Sequence, residues 1–480
     1  MTSSTAVVWF RRDLRVHDHP ALTAAAERHD RVVPLFVLDP RLLGGRFASP
    51  VRTQFLLGSL RALAVSLAEA GTPLIVRTGD PADVVAALCA LTGARDVYVS
   101  RDHAPYGRAR DARAAERLAV DGVAFHPKRG NLVHEPESVA TAEGRPFTVY
   151  SPFRRAWERL GRRGVLPAPT GLVGRDLDPG VIPPSFDAGH GGAERPPVEP
   201  SLVLEPGESA ARRRLDRWLA RGIDDYASSR DRLDLVDGTS RLSADLHLGL
   251  LSPNEVVARA LGPGDGRRVF ANELVWREFY AHVLFHRPTV RERSFRPAFD
   301  AIEWSGDLVA MDAWRAGLTG YPIVDAAMRQ LAATGWMHNR ARMIVATFLT
   351  KDLLVDWRVG EAHFMRSLVD GDVASNNGGW QWSASSGTDP QPYFRIFNPV
   401  TQGRRHDPDG TYVRRWVPEL AAVPKAWIHA PWEMPSETAA AIAFRPGIEY
   451  PERIVDHAEA RVRALAVFGG ARQVAERRTS

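Results

Sequence analysis

The sequence predicts an α/β N-terminal domain built on a Rossmann-like parallel sheet, followed by an all-α C-terminal domain. Three observations carry this. From residue 5 to about 130, short β-branched or apolar runs alternate with stretches of period near 3.6, the pattern of parallel strands joined by covering helices. From Gly164 to Glu208, nine prolines and eight glycines occur in 45 residues, which is the composition of a connector. From Ala210 onward strand signals fade and long helical patterns run nearly to the end, carrying most of the thirteen tryptophans. The expected division is residues 1–130, a connector over 131–210, and a helical domain over 211–480.

The expected strands are Val7–Phe10, Val32–Leu38, Leu74–Val76 and Asp96–Ser100. Helical periodicity fills the gaps over Pro20–Arg28, Thr53–Ala70, Ala82–Leu91 and Arg108–Ala119, with Gly71 placed to stop the second. No G-x-G-x-x-G follows the first strand, so this half has no obvious dinucleotide fingerprint. In the second half the periodicity predicts helices over Val269–Leu284, Ile323–Thr334, Trp336–Leu354 and Gly360–Val369.

At 480 residues and 44% hydrophobic composition, the chain is globular and too long for one ordinary core. Its formal net charge of +5 is compatible with a polyanionic partner and weak evidence for one. The single cysteine, Cys89, lies in an apolar run and reads as core; it excludes a disulfide framework or a cysteine-rich metal site. No segment approaches the roughly 18 apolar residues of a membrane span, and the first apolar run is too short for a signal sequence. A soluble, cytoplasmic protein is expected. There is no H-E-x-x-H and no G-x-S-x-G, so metal and hydrolytic readings do poorly.

Four constellations could carry chemistry. The stretch Asp370–Trp382 packs two carboxylates, two asparagines, three glycines and two tryptophans into thirteen residues. Such groups are costly to bury without partners, and the composition suits a polar, aromatic ligand such as a flavin. Gly238-Thr-Ser-Arg-Leu-Ser243, preceded by Tyr226, reads either as an anion cradle or as a helix start capped by Ser or Thr. In Asn272–Tyr280, residues Glu273, Trp276, Arg277 and Tyr280 share one helix face by spacing; a ligand-binding stripe and an amphipathic surface helix both explain them. In Gly335–Met343, Trp336, Asn339, Arg340 and Met343 are expected on one face, with Arg342 as a second cation, side chains that stack on bases and neutralise phosphates. His338 reads as structural. Trp304 and Trp357, like most scattered tryptophans, read first as packing residues.

These motifs, together with Thr319–Arg329 and the N-terminal Phe10-Arg-Arg-Asp-Leu-Arg15, resemble the photolyase/cryptochrome family over essentially the whole chain, and most closely its class I cyclobutane pyrimidine dimer photolyases. The resemblance implies an N-terminal antenna domain and a helical domain binding non-covalent, reduced FAD. It implies FAD contacts at Tyr226, Thr239, Ser240, Arg241, Leu242, Ser243, Phe270, Glu273, Arg277, Asn339, Arg342, Asp370 and Asp372, with Asn376 facing flavin N5. Glu273, Trp276, Asn339, Arg340, Met343 and Trp382 match lesion-pocket positions, with Glu273 on the pyrimidine edge and the two tryptophans stacking on a flipped-out dimer. Arg230, Arg395 and Gln402 match positions near DNA phosphates. Trp380, Trp357 and Trp304 match the chain of tryptophans that delivers electrons to the flavin. The implied partner is UV-damaged DNA, single- or double-stranded, bound by a monomer.

The chain departs from the family's pattern in places. Phe270 stands where members often have Trp. The segment Asp102-His-Ala-Pro-Tyr-Gly-Arg108 resembles members that use 8-hydroxy-5-deazaflavin as antenna, ahead of methenyltetrahydrofolate, with Arg52, Asp102 and His247 as contacts; His247 replaces a Lys. The rival readings are a (6-4) photolyase, against which Asn339 and Met343 stand where its second pocket His is expected, and a cryptochrome-type blue-light photoreceptor, which usually carries a C-terminal extension.

Overall fold

Five strands, β1 (Thr5–Phe10), β2 (Arg31–Leu38), β3 (Ile75–Thr78), β4 (Asp96–Ser100) and β5 (Ala124–Lys128), form one parallel sheet in the order β3-β2-β1-β4-β5. The computed structural model describes residues 3–185, 204–389, 392 and 394–479; residues 186–203 of the expected connector lie outside these. Alternation along β1 and β2 splits the core. Ala6, Val8, Phe10, Val32, Phe36 and Leu38 face one cluster, whereas Val7, Trp9, Val33, Leu35 and Val37 face the other, as a period of two requires when both faces are covered.

The four expected strands and four expected helices are present, the first helix with the expected bounds and the other three beginning earlier than their periodicity suggested. Each starts at a proline: Pro20–Arg28, Pro50–Ala70, Pro81–Thr92 and Pro105–Val120. Proline loses nothing at the first helical position, where the N–H is unpaired anyway. Gly71 does end the second helix, at φ 108°. Cys89 is buried at 2% exposure. The fifth strand, absent from the sequence expectation, is a half-exposed edge strand, Ala-Phe-His-Pro-Lys, a position that tolerates Pro127.

The segment expected as connector contributes structure before residue 186. The Tyr150–Arg159 helix packs on the Asp265–His286 helix, with Phe153 against Phe279 at 5.1 Å. The helical half follows: Pro322–Thr334, Asn339–Thr347, Trp357–Ser367, Val373–Ser383 and His457–Thr479 frame the remainder of the core. Among the described residues no helix is long and apolar enough to cross a membrane.

The expected Trp336–Leu354 helix is corrected. The regular helix spans Asn339–Thr347, with His338 as its N-cap, accepting from Arg340 N through Nδ1 at 3.0 Å, and a π-helical turn over Phe348–Asp352 follows. Trp336 therefore lies outside the helix and does not share its face by periodicity.

The two halves meet through β1's exit loop. Leu14 N donates to Leu248 O at 3.1 Å and Arg15 Nη1 to Gly249 O at 3.0 Å. Gly249, at φ 67°, brings its backbone so close that a Cβ there would stand 2.1 Å from Arg12 O.

Candidate flavin and nucleic-acid site

The Asp265–His286 helix supplies the central stripe. Leu274, Val275, Glu278 and Phe279 are buried, whereas Glu273, Trp276, Arg277 and Tyr280 are only half-buried. Glu273 keeps 30% side-chain exposure, yet burial pushes its carboxyl above the ordinary range against the opposing pull of Arg230. A group both solvent-accessible and desolvated lines a recess within the protein. Arg277 Nη2 donates to Asn131 O at 3.1 Å and Leu246 O at 3.4 Å, while its Nη1 is buried without a partner among the described residues. Buried guanidinium N–H groups are normally paired, so this one fits a ligand that accepts hydrogen bonds.

Opposite stands the stretch Asp370–Trp382, which forms a turn and then the Val373–Ser383 helix. Asp372 is its N-cap, accepting from Ser375 N at 2.9 Å, and pairs with Arg12 Nη2 at 2.6 Å. Burial opposes ionisation of Asp372, but Arg12 and His247 hold its carboxyl well below the usual range. Arg342 Nη2 lies 2.8 Å from Asp370 and its Nε donates to Met337 O at 2.8 Å. Asn376 is buried, with Nδ2 donating to Glu361 O at 3.0 Å. Gly378 is required by packing, since a Cβ there would meet the Tyr280 ring at 2.1 Å.

The Gly238–Ser243 loop leads into the short Ser243–Leu248 helix, whose N-cap, Leu242, makes no side-chain cap bond. The reading of Ser or Thr as cap is thus set aside. Arg241 adopts φ 54° and its guanidinium sits 4.9 Å from the Trp336 ring; Thr239 and Ser240 are half-buried and Ser243 is exposed. Phe270 fills an aromatic trio, 5.6 Å from both Trp218 and Tyr226.

The expected phosphate and lesion residues are more mutually engaged than their spacing revealed. Arg230 Nη1 pairs with Glu273 at 2.7 Å, and Arg340 Nη2 with Asp231 at 2.8 Å. Asn339 is exposed, its Nδ2 3.9 Å from Met343 Sδ. Trp382 is half-buried on the same helix as Trp380. Arg395 is exposed and Gln402 half-buried on the Pro399–His406 helix; neither is brought against the Glu273 stripe by a described contact.

Trp380, Trp357 and Trp304 do not pack directly on one another among the described residues. Trp380 meets Phe364 at 5.0 Å and Trp314 at 6.1 Å, Trp357 carries the Arg358 guanidinium at 4.7 Å, and Trp304 meets Phe468 at 5.9 Å. The Trp380 Nε1 is buried without a partner.

Of the expected antenna contacts, Arg52 is turned toward the helical half, donating to Met365 O at 2.9 Å and Leu368 O at 2.8 Å. Asp102 lies 3.3 Å from Arg110. His247 Nδ1 lies 3.3 Å from Arg12 Nη2 and 3.9 Å from Asp372, and burial lowers its pKa to about 4. Arg12, within the Phe10–Arg15 motif but not among the expected contacts, feels both Asp102 and Asp372 and links these positions; Glu361, whose buried carboxyl is raised to about 7, was missed in the sequence, where no local pattern marks it.

The sequence and the fold are shared with known proteins. Residues 6–170 match the family model for DNA photolyase, and residues 270–470 that for the FAD binding domain of DNA photolyase. The chain is 40% identical to the deoxyribodipyrimidine photo-lyase of Escherichia coli, over 98% of this chain and 99% of that protein. The crystal structure of a bacterial class III photolyase from Agrobacterium tumefaciens superposes with a TM-score of 0.89 at 39% identity, covering 98% of both chains. A cryptochrome from Synechocystis superposes at 0.87 with 30% identity, over 97% of this chain and 99% of that one. With both halves matched and identity of this level sustained from end to end, the chain belongs to the DNA photolyase family.

Proposed function

We propose that this protein is a light-driven DNA repair lyase that binds FAD and splits cyclobutane pyrimidine dimers. The observation that carries this reading is the half-buried face on which Glu273, Trp276 and Arg277 lie side by side: an acid to bond a pyrimidine edge, an indole to stack on it, and a cation whose buried N–H awaits an acceptor. The E. coli relative bears the name of the same activity.

FAD, when bound and reduced, supplies the electron that light drives into the dimer, and the cyclobutane bonds open before the electron returns. The chain's residues do the rest. Arg277 and the Asp370–Arg342 pair hold the cofactor, and the Gly238–Ser243 loop takes its diphosphate. With Nδ2 committed to Glu361 O, Asn376 offers its carbonyl oxygen, an acceptor suited to the N5–H of reduced flavin. Trp276 and Trp382 provide stacking surface, which is worth about 1–3 kcal/mol per base, and a poorly stacked dimer is cheaper to extrude than a normal pair. Arg230, Arg395 and Gln402 meet the DNA backbone, and Arg340 lines the lesion pocket. Trp304, Trp357 and Trp380 carry electrons inward in hops across the gaps between their rings.

The finer reading is a class I enzyme, monomeric and cytoplasmic, acting on single- or double-stranded DNA, with 8-hydroxy-5-deazaflavin held near Arg52, Asp102 and His247. The test is repair of an oligonucleotide with one cyclobutane dimer under blue light with reductant, beside the same oligonucleotide with a (6-4) photoproduct. Restoration of the dimer substrate alone supports the assignment. Flavin binding with no dimer repair overturns it.

A further inference from the structure

The Tyr150 ring lies parallel to the Trp276 indole, with centroids 3.6 Å apart and planes 5° from coincidence. Among the described residues no other ring is parallel to Trp276: Phe279 meets it edge-on at 76° and Tyr280 at 36°. One indole face is thus covered, and the ring as a whole remains half-exposed. Tyr150 is itself held by two hydrogen bonds, and a third ties down its segment. Its hydroxyl donates to Asn272 O at 3.0 Å, its backbone N–H donates to Asp389 at 3.2 Å, and Thr388 Oγ1 donates to the neighbouring Thr148 O. Asp389 and Thr388 belong to the loop that leaves the helix bearing Trp382. Tyr150 therefore touches the helix of one stacking tryptophan and the exit loop of the other.

We propose that Tyr150 is a positioning residue that fixes the plane of Trp276 and so sets the preference for dimer-containing over undamaged DNA. This rests on the function proposed above. A dimer face stacks well only on an indole already held at the correct tilt; a free ring must be immobilised on binding, and that ordering subtracts from affinity. With centroids only 3.6 Å apart the two rings lie almost face to face, so dispersion holds their planes together, and the bond from Tyr150 N to Asp389 anchors the tyrosine's backbone behind the stack. A tyrosine serving only to fill the core would need neither coplanarity nor this tie to the loop after Trp382.

The test measures dark binding of a dimer-containing oligonucleotide and its undamaged twin to the FAD-loaded wild type, Tyr150→Leu and Tyr150→Phe, with flavin absorbance as a check on assembly. Tyr150→Leu should lower the dimer preference by roughly three- to tenfold, the scale of one aromatic pair and one freed side chain, through weaker dimer binding and with undamaged binding unchanged. Tyr150→Phe, which keeps the stack, should stay within about twofold of wild type. Undiminished preference in Tyr150→Leu overturns the proposal, as does an equal loss in Tyr150→Phe. Should Tyr150→Leu not hold flavin, Tyr150→Met replaces it; failure of both makes the ring structural and also overturns the proposal. A wild type without any dimer preference overturns the functional reading itself, and the wild-type measurement alone reveals that.

Discussion

Arg230 and Glu273 form an ion pair at 2.7 Å, with each side chain about 30% exposed (29% and 30%), although the two are expected at different parts of the DNA. The pair has to reorganise when a dimer enters. Glu273→Ala should weaken dimer binding about tenfold with little change for undamaged DNA, in line with a lost charged hydrogen bond. Arg230→Ala should weaken both and lower the slope of log affinity against log salt by about 0.9. Because the two residues touch, the double variant should lose less than the sum of the single losses. Binding titrations at three salt concentrations decide this, and strict additivity would show that the pair has no role in substrate entry.

Asp372 serves as N-cap and as ion-pair partner of Arg12 at once. Asn at that place keeps the cap and loses the charge, whereas Ala loses both. Asp372→Ala should therefore be less stable than Asp372→Asn by about 1 kcal/mol, the worth of a cap. Thermal unfolding of the two variants measures it. Equal melting temperatures would mean that the Arg12 pair, not the cap, accounts for the residue.

Gly249 combines φ 67° with a Cβ position 2.1 Å from Arg12 O. Gly249→Ala must strain the backbone and push the two halves apart, so a loss of about 3 kcal/mol or more is expected. Gly93, with φ 70° and nothing within 4 Å of its Cβ position, is the control: its Ala variant should lose only about 1 kcal/mol, the cost of the left-handed backbone. A similar loss at both sites, by denaturant unfolding, would remove the interdomain contact from the explanation.

The Glu273–Tyr280 stripe could be read from sequence because one helix turn brings residues three, four and seven apart onto one face, and the alternating strands because two-sided burial makes them continuously apolar. What stayed hidden was pairing across distance. Arg12 and Asp372 are 360 residues apart and Arg101 donates to Glu135 from 34 away; no periodicity joins them. Tyr150 lay in a segment expected as connector, and its stack on Trp276 depends on how two helices cross. β5 escaped notice because an edge strand with His126 and Pro127 lacks the apolar run that marks its neighbours.

Glu361 is buried, and its carboxyl is raised to about 7 from an ordinary value of 4.5 by that burial, with the Asn377 bond opposing. The folded state binds this proton more tightly than the unfolded chain. Stability from this group is thus greatest below about pH 4.5 and falls as pH rises to about 7, by about 3 kcal/mol. Glu361→Gln mimics the neutral acid. Its stability relative to wild type should be near zero at about pH 4 and favour the variant increasingly up to about pH 7, by denaturant unfolding at each pH. A difference independent of pH would mean that the carboxyl does not titrate in this range.

Trp380 and Trp382 are two residues apart on one helix yet face different surroundings. Trp380 is 2% exposed, wedged so tightly that a Cβ on Gly360 would meet its ring at 2.1 Å, and its Nε1 has no hydrogen-bond partner among the described residues. Trp380→Phe therefore loses no hydrogen bond and leaves a modest cavity, costing about 1–2 kcal/mol. If Trp380 relays electrons, this variant should photoreduce its FAD far more slowly, while repair by enzyme reduced chemically stays near the wild-type rate. Trp382→Ala, removing a half-exposed ring, should do the reverse: weaker dimer binding, by about 1–3 kcal/mol if the ring stacks on a base, with photoreduction intact. Loss of repair in chemically reduced Trp380→Phe would assign that indole to structure or substrate instead, and loss of photoreduction in Trp382→Ala would place both rings on one electron path.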